Sequence, residues 1–217
     1  MNPTLDQAHY YRAVAFYHLG LLEQAEQDVR AGLEVNPGNR SDAARTRGRL
    51  ALYRGRFEES AGLLEELKRV TRGTTYDGDL AFAYYYRGEH ERAEQLLAPL
   101  RGGSIPDRRA QAQLASFLGA DGRRAEAETL LRAIIQGGYT DHHVAYNVGT
   151  AYAGLGNFTE ARRWLRQAAE TGLPNYPWFE SDPLLAPIRK DAEFQAFLSE
   201  LKKSFEATQQ RYARGSR

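Results

Sequence analysis

Five glycines recur in this chain at near-constant spacing, at positions 20, 55, 88, 122 and 156, with steps of 35, 33, 34 and 34 residues. Each closes one apolar helical pattern and precedes another, which marks the turn of a helix hairpin. Three further columns hold the same phase. Seven residues before the glycines stand Ala13, Gly48, Ala81, Ala115 and Gly149; five after them stand Ala25, Ser60, Ala93, Ala127 and Ala161. Nine after them stand Val29, Leu64, Leu97, Leu131 and Leu165. The first two columns are small and the third is large and apolar. Small residues let two helix axes approach, and large ones fill the space around that contact. A chance run of Ala-rich helices does not keep phase across independent columns. The chain therefore reads as five copies of a helix hairpin. A pair this short buries its apolar face only by stacking on further copies.

The clearest copy runs from Asp141 to Pro174. Val148-Gly149 is followed by Tyr152, and Ala161 by Leu165. The first helix is expected from about Asp141 to Gly154 and the second from about Phe158 to Thr171. This pattern resembles the tetratricopeptide repeat (TPR). The resemblance implies an all-α fold: a right-handed α-solenoid of about five TPR helix hairpins plus a C-terminal capping helix. The repeats fall near 6–39, 40–73, 74–107, 108–141 and 142–175, so that 1–175 is the array. Several positions depart from the family pattern. Ala145 stands at the tryptophan position, Arg12 and Arg47 where leucine is expected, and Ala51 and Arg124 where an aromatic is usual. Pro37 and Pro174 end the first and last repeats. Asn2-Pro3 echoes Asn36-Pro37, which predicts a chain that starts at a repeat boundary, cut from a longer parent. The run from Arg101 to Pro106 holds two glycines and a proline and predicts a looser joint.

After Pro174 no sixth hairpin signature follows. Asp182-Pro183 reads as an N-cap and first helical residue, and Asp191 as the cap of a final helix. In that helix Phe194, Phe197, Leu198, Leu201 and Phe205 share one face. Such a face closes the open end of a stack, so 176–217 reads as a C-terminal cap and tail, polar and frayed from about Gln209. The segment from Asp182 to Phe194 also resembles, more loosely, the tail that closes repeat arrays in bacterial signalling proteins.

Composition narrows the function. Charged residues make up 26% of the chain with a net charge of +1, which lacks the basic excess of a phosphate-binding protein and argues against a nucleic-acid partner. With no cysteine, thiolate metal sites and cysteine nucleophiles are excluded. No apolar run approaches the roughly 20 residues of a membrane span, and the first residues lack the regions of a signal peptide, so a cytoplasmic location is expected, with a periplasmic one open if a signal has been removed. Gly154-Leu-Gly156 lacks the third glycine of a dinucleotide fingerprint. His142 and His143 are adjacent and point to different sides of a helix, whereas helical metal ligands stand four apart. We expect no catalytic residues, no metal and no cofactor.

The resemblance further implies that the first helix of each repeat lines a concave groove. Carried over, the groove positions are Tyr10, Val14 and Tyr17; Arg45, Arg49 and Tyr53; Phe82, Tyr85 and Tyr86; Gln113 and Ser116; and Tyr146, Asn147 and Thr150. Tyr84 falls instead at the family's core aromatic position. Aromatics and arginine are the side chains most enriched at binding hot spots. Arg45 and Arg49 lie one turn apart and are expected to grip a carboxylate or phosphate. The reading is a protein–protein interaction scaffold that binds a peptide or partner segment, with an RNA-binding repeat or a self-assembling array as alternatives. Weak self-association is expected through Tyr11, Ala15 and Leu22.

Overall fold

The computed structural model describes residues 5–72, 76–100, 104–138 and 140–215. Pro3 lies outside them, as does part of the joint at 101–106. Among the described residues all regular structure is helical. Ten helices form five successive pairs: α1 (Leu5–His18) with α2 (Leu22–Val35), α3 (Arg40–Tyr53) with α4 (Phe57–Thr71), α5 (Asp77–Tyr86) with α6 (His90–Leu97), α7 (Ile105–Ala120) with α8 (Arg124–Gln136), and α9 (His142–Gly154) with α10 (Phe158–Thr171). Then come α11 (Tyr176–Ser181), a 3-10 turn (Pro183–Leu185) and α12 (Ala192–Gly215). The chain divides into two compact units, Met1–Ala93 and Glu94–Arg217. In the first, α1, α3 and α5 lie in sequence beside one another, with α2 and α4 packed on their partners. In the second, α7 packs on α9, and α8 and α10 pack on α7 and α9.

The five phased glycines end the first helices in one conformation. Their φ values are +78, +71, +82, +75 and +77°, the left-handed region in which other residues are strained. At each, the amide after the glycine reaches back five residues to a helix carbonyl: Leu21 to Phe16, Arg56 to Ala51, Glu89 to Tyr84, Arg123 to Leu118 and Asn157 to Tyr152, at 2.8–2.9 Å. This bond satisfies a carbonyl that the helix end leaves open. The other three columns are core. Every alanine in them is fully buried, as are Ser60, Val29, Leu64 and Leu165. The small and large columns touch: a Cβ on Gly48 would lie 2.8 Å from Leu64 Cγ, and one on Gly149 2.7 Å from Leu165 Cγ.

The arginines that replace expected apolar residues are all satisfied. Arg12 donates through Nε to Asp28 Oδ2 at 2.6 Å, and Arg47 donates twice to Glu26 at 3.1 and 3.2 Å. Arg124 donates to the Leu155 carbonyl at 2.7 Å. Each turns its charged head to an acceptor. Tyr84 is buried, as expected of the core aromatic. Its hydroxyl donates to Glu65 Oε1 at 2.7 Å and accepts from Arg92 Nη2 at 2.6 Å, with the guanidinium 3.9 Å from the ring. Burial, then the bond to Glu65, pushes the phenol up to about 12. The folded value exceeds the unfolded one, near 10, so this contribution to stability is complete below about pH 10 and is lost as pH rises toward 12. A carbon-13 NMR titration of the tyrosine Cζ atoms should place Tyr84 near 12 and show Glu65→Gln lowering it. An ordinary value for Tyr84 would contradict this arrangement.

The C-terminal cap is a pair of helices rather than the single one expected. The short α11 carries no hairpin periodicity. Its start is set by the Asn175 side chain, which accepts from the Trp178 amide at 3.1 Å, and by Pro177 in its first turn. Asp182 accepts from the Leu184 amide at 2.8 Å and Asp191 from the Phe194 amide at 2.9 Å, so both caps stand where the sequence puts them. Trp178, Phe179, Leu185, Ile188, Phe194 and Phe197 form the buried centre of the cap. The tail expected to fray from Gln209 is instead continuous helix to Gly215. The stripe Phe194, Leu198, Leu201 and Phe205 continues on it through Thr208 and Tyr212.

Candidate partner-binding face

Within the unit Met1–Ala93, Tyr10, Val14 and Tyr17 of α1 and Arg45 and Arg49 of α3 line one cleft, Tyr53 meets Tyr17, and Phe82, Tyr85 and Tyr86 are neighbours on α5. The three- and four-residue steps along each helix bring them to one side. Their states differ. Tyr10 and Tyr17 are buried, and the Tyr10 hydroxyl donates to the Asn39 carbonyl at 3.2 Å. Burial, then the charges of Asp42 and Asp6, holds the Tyr10 phenol above its usual range. Tyr85 is buried and stacks on His90 with centroids 4.2 Å apart. Tyr53, Phe82 and Tyr86 are half-buried. Tyr53 lies 5.6 Å from the Tyr17 ring, and Phe82 stacks on Tyr86 at 5.9 Å.

The two arginines behave in opposite ways. Arg49 spends its donors inside the protein. Nε donates to Asp79 Oδ1 at 3.0 Å, Nη2 to Asp79 Oδ2 at 2.6 Å, and Nη1 to the Tyr17 hydroxyl at 2.8 Å. Burial opposes its charge, but Asp79 together with Tyr17 and Tyr53 more than offsets it, and the guanidinium is held well above its ordinary range. It thus ties α1, α3 and α5 together and is not available to grip a ligand as the sequence suggests. The sequence does offer a trace of this: Asp79 stands one helical turn before Ala83, the residue one 34-residue step after Arg49.

Arg45 is half-buried, and its guanidinium lies 5.8 Å from the centre of the Tyr76 ring. Among the described residues it has no acidic partner. It faces a cleft of about 110 Å³ between α1 and α3, whose walls include Gln7, Tyr10, Tyr11, Val14, Tyr17 and Asp42. Tyr11 is 74% exposed. Ala15 is exposed too, while Leu22 is half-buried.

The unit Glu94–Arg217 holds the other expected groove positions, and there they are interior. Tyr146 is buried, its hydroxyl donates to Asp182 Oδ2, and its ring meets Phe179 edge-on at 5.0 Å. It fastens the cap to α9. Asn147, Gln113, Ser116 and Thr150 are also buried, and both hydroxyls turn back to a carbonyl three residues earlier. His142 and His143, expected on different sides of a helix, hold their ring centroids 4.3 Å apart at the start of α9.

Residues 144–172, spanning α9 and α10, match the family model described as tetratricopeptide repeat. The helix-hairpin fold is that of a tetratricopeptide-repeat (TPR) array, and one hairpin matches the family in sequence. A solved structure of similar fold is that of a thermophilic TPR protein of Thermus thermophilus. It shares 19% identity with this chain over 90% of this chain and 98% of its own, with a TM-score of 0.56. At that identity the likeness is one of fold. No curated protein matches the chain. No described helix is long and apolar enough to cross a membrane.

Proposed function

We propose that this TPR protein is a non-catalytic scaffold that binds a segment of a partner protein on the face made by α1, α3 and α5. What carries the reading is the company of half-buried aromatic rings, Tyr53, Phe82 and Tyr86, and a guanidinium without an acid, Arg45. Rigid aromatic rings offer contact area at low entropic cost, and arginine adds directional donors. Buried Tyr10, Tyr17 and Tyr85 form the floor beneath them. Arg49 holds that floor in place.

The test is a partner captured by cross-linking and then measured in solution. Tyr53→Ala and Phe82→Ala should each weaken its binding by about tenfold, the effect of a modest hot spot. Glu128→Ala, an exposed charge on α8, should leave it unchanged. Thermal melts run beside the binding curves separate a lost contact from a lost fold. Variants that stay folded and bind with the affinity of the natural chain would show that the partner sits elsewhere.

A further inference from the structure

The cations of the first unit are mostly spent. Arg12 is held by Asp28, Arg47 by Glu26, Arg49 by Asp79 and Lys68 by Asp77. Arg45 is the exception in the cleft between α1 and α3. Its planar fork of donors suits a carboxylate or a phosphate, and neighbouring side chains do not occupy it. The charge around it then sets which anion fits. Asp42 lines the same cleft three residues earlier on α3, so the two face the solvent one helical turn apart. The raised phenol of Tyr10, after burial, reports the negative charge of Asp42 and Asp6 nearby, which outweighs the opposing charge of Arg47, itself held by Glu26. One guanidinium can balance a single negative charge there. A dianion would carry its second charge uncompensated beside Asp42.

The cleft is also elongated along α1. Its α1 wall runs from Gln7 to Tyr17, about 15 Å of helix at the usual rise. Arg45 sits near the middle of α3, not at an end of this wall. A bound chain would therefore continue on both sides of the anion. That geometry favours an acidic side chain inside a segment over a chain terminus.

We propose that the cleft between α1 and α3 is a specificity pocket in which Arg45 takes the side-chain carboxylate of an aspartate or glutamate in the bound segment, with Tyr10, Tyr11 and Tyr17 against its flanking residues. This deepens the scaffold reading above and rests on it. The pocket selects singly charged acids and turns away phosphorylated residues.

The experiment uses the full chain and capped hexapeptide libraries. One central position is fixed as Glu, Gln or phosphoserine, and the other positions are randomised. A fourth library has Gln at that position and a free C-terminus. Retained peptides are quantified by mass spectrometry. The natural chain should keep the Glu library about tenfold over the Gln library, the scale of one charge-assisted hydrogen-bonded contact. Arg45→Gln should erase that ratio while melting like the natural chain, because Arg45 has no acid to lose. Equal retention of Glu and Gln libraries, with both bound, would overturn the pocket and leave the scaffold reading standing. Phosphoserine above Glu, or a gain confined to the free terminus, would likewise overturn it. Retention of none of the libraries would count against the scaffold reading and the pocket together.

Discussion

Gly154→Ala should destabilise the unit Glu94–Arg217 by about 3 kcal/mol, the upper part of the range for overpacking a core. The reason is what one methyl group would meet. A Cβ on Gly154 would lie 2.6 Å from the Gly119 carbonyl carbon, 2.7 Å from the Ala120 nitrogen and 2.8 Å from the Gly119 oxygen. All three are backbone atoms of α7. The reverse approach is as tight, with a Cβ on Gly119 2.7 Å from the Ala151 oxygen. The two first helices α7 and α9 thus cross in backbone contact, and relief requires the helices to move apart. Gly149 offers the contrast. Its nearest neighbours are the Leu165 branch carbons at 2.7 and 2.9 Å, which can turn, and the Leu165 nitrogen at 3.1 Å. Gly149→Ala should therefore cost less, about 1–2 kcal/mol, and Gly149→Leu up to about 3 kcal/mol. Urea unfolding of the three variants gives the order directly. A Gly154→Ala protein as stable as the natural chain would show that α7 and α9 do not touch at this point.

This contrast also marks what was legible in the sequence. The phased columns report contacts inside one hairpin, where Gly149 meets Leu165 at a fixed offset that every copy repeats. They carry the helices, the turns and the core. The contact of Gly154 with Gly119 joins neighbouring hairpins, and no repeated column announces it. The cap was half legible. Asp182 and Asp191 are local capping residues, and capping is decided within four residues. The helix Tyr176–Ser181 is too short for a period to show, and α12 runs past Gln209 although its outer turns are polar. The candidate binding face was the least legible part. Position along a first helix says which side a residue faces, but not whether another side chain has already engaged it. Tyr146 meets Asp182, which lies beyond the repeats, and Arg49 meets Asp79 across two hairpins.

Arg49→Ala should cost about 3 kcal/mol of folding stability and should alter partner binding only through that loss. The side chain is 17% exposed and Asp79 12% exposed. Removing one member of a buried ion pair leaves the other charge without compensation, typically 3–5 kcal/mol; the residual exposure of this pair puts the expectation at the low end. The Tyr17 hydroxyl loses its donor as well. Asp79→Asn keeps the shape and one acceptor, so about 2 kcal/mol is expected, near the value of a hydrogen bond to a charged group. Because the two residues share one interaction, their effects should not add. The double variant should be less damaging than the sum of the singles by about 2 kcal/mol, well beyond the few tenths seen for independent sites. A cycle of the four proteins in urea measures this term. Additivity would mean that the tether across α1, α3 and α5 does not stabilise the fold. Binding separates the two arginines further. Arg45→Gln should spare stability and change ligand preference. Asp79→Asn, which leaves both arginines in place, should lower stability and spare that preference. If Asp79→Asn stayed fully stable and abolished binding, Arg49 and Asp79 would belong to the recognition surface, and their role as the floor beneath it would be wrong.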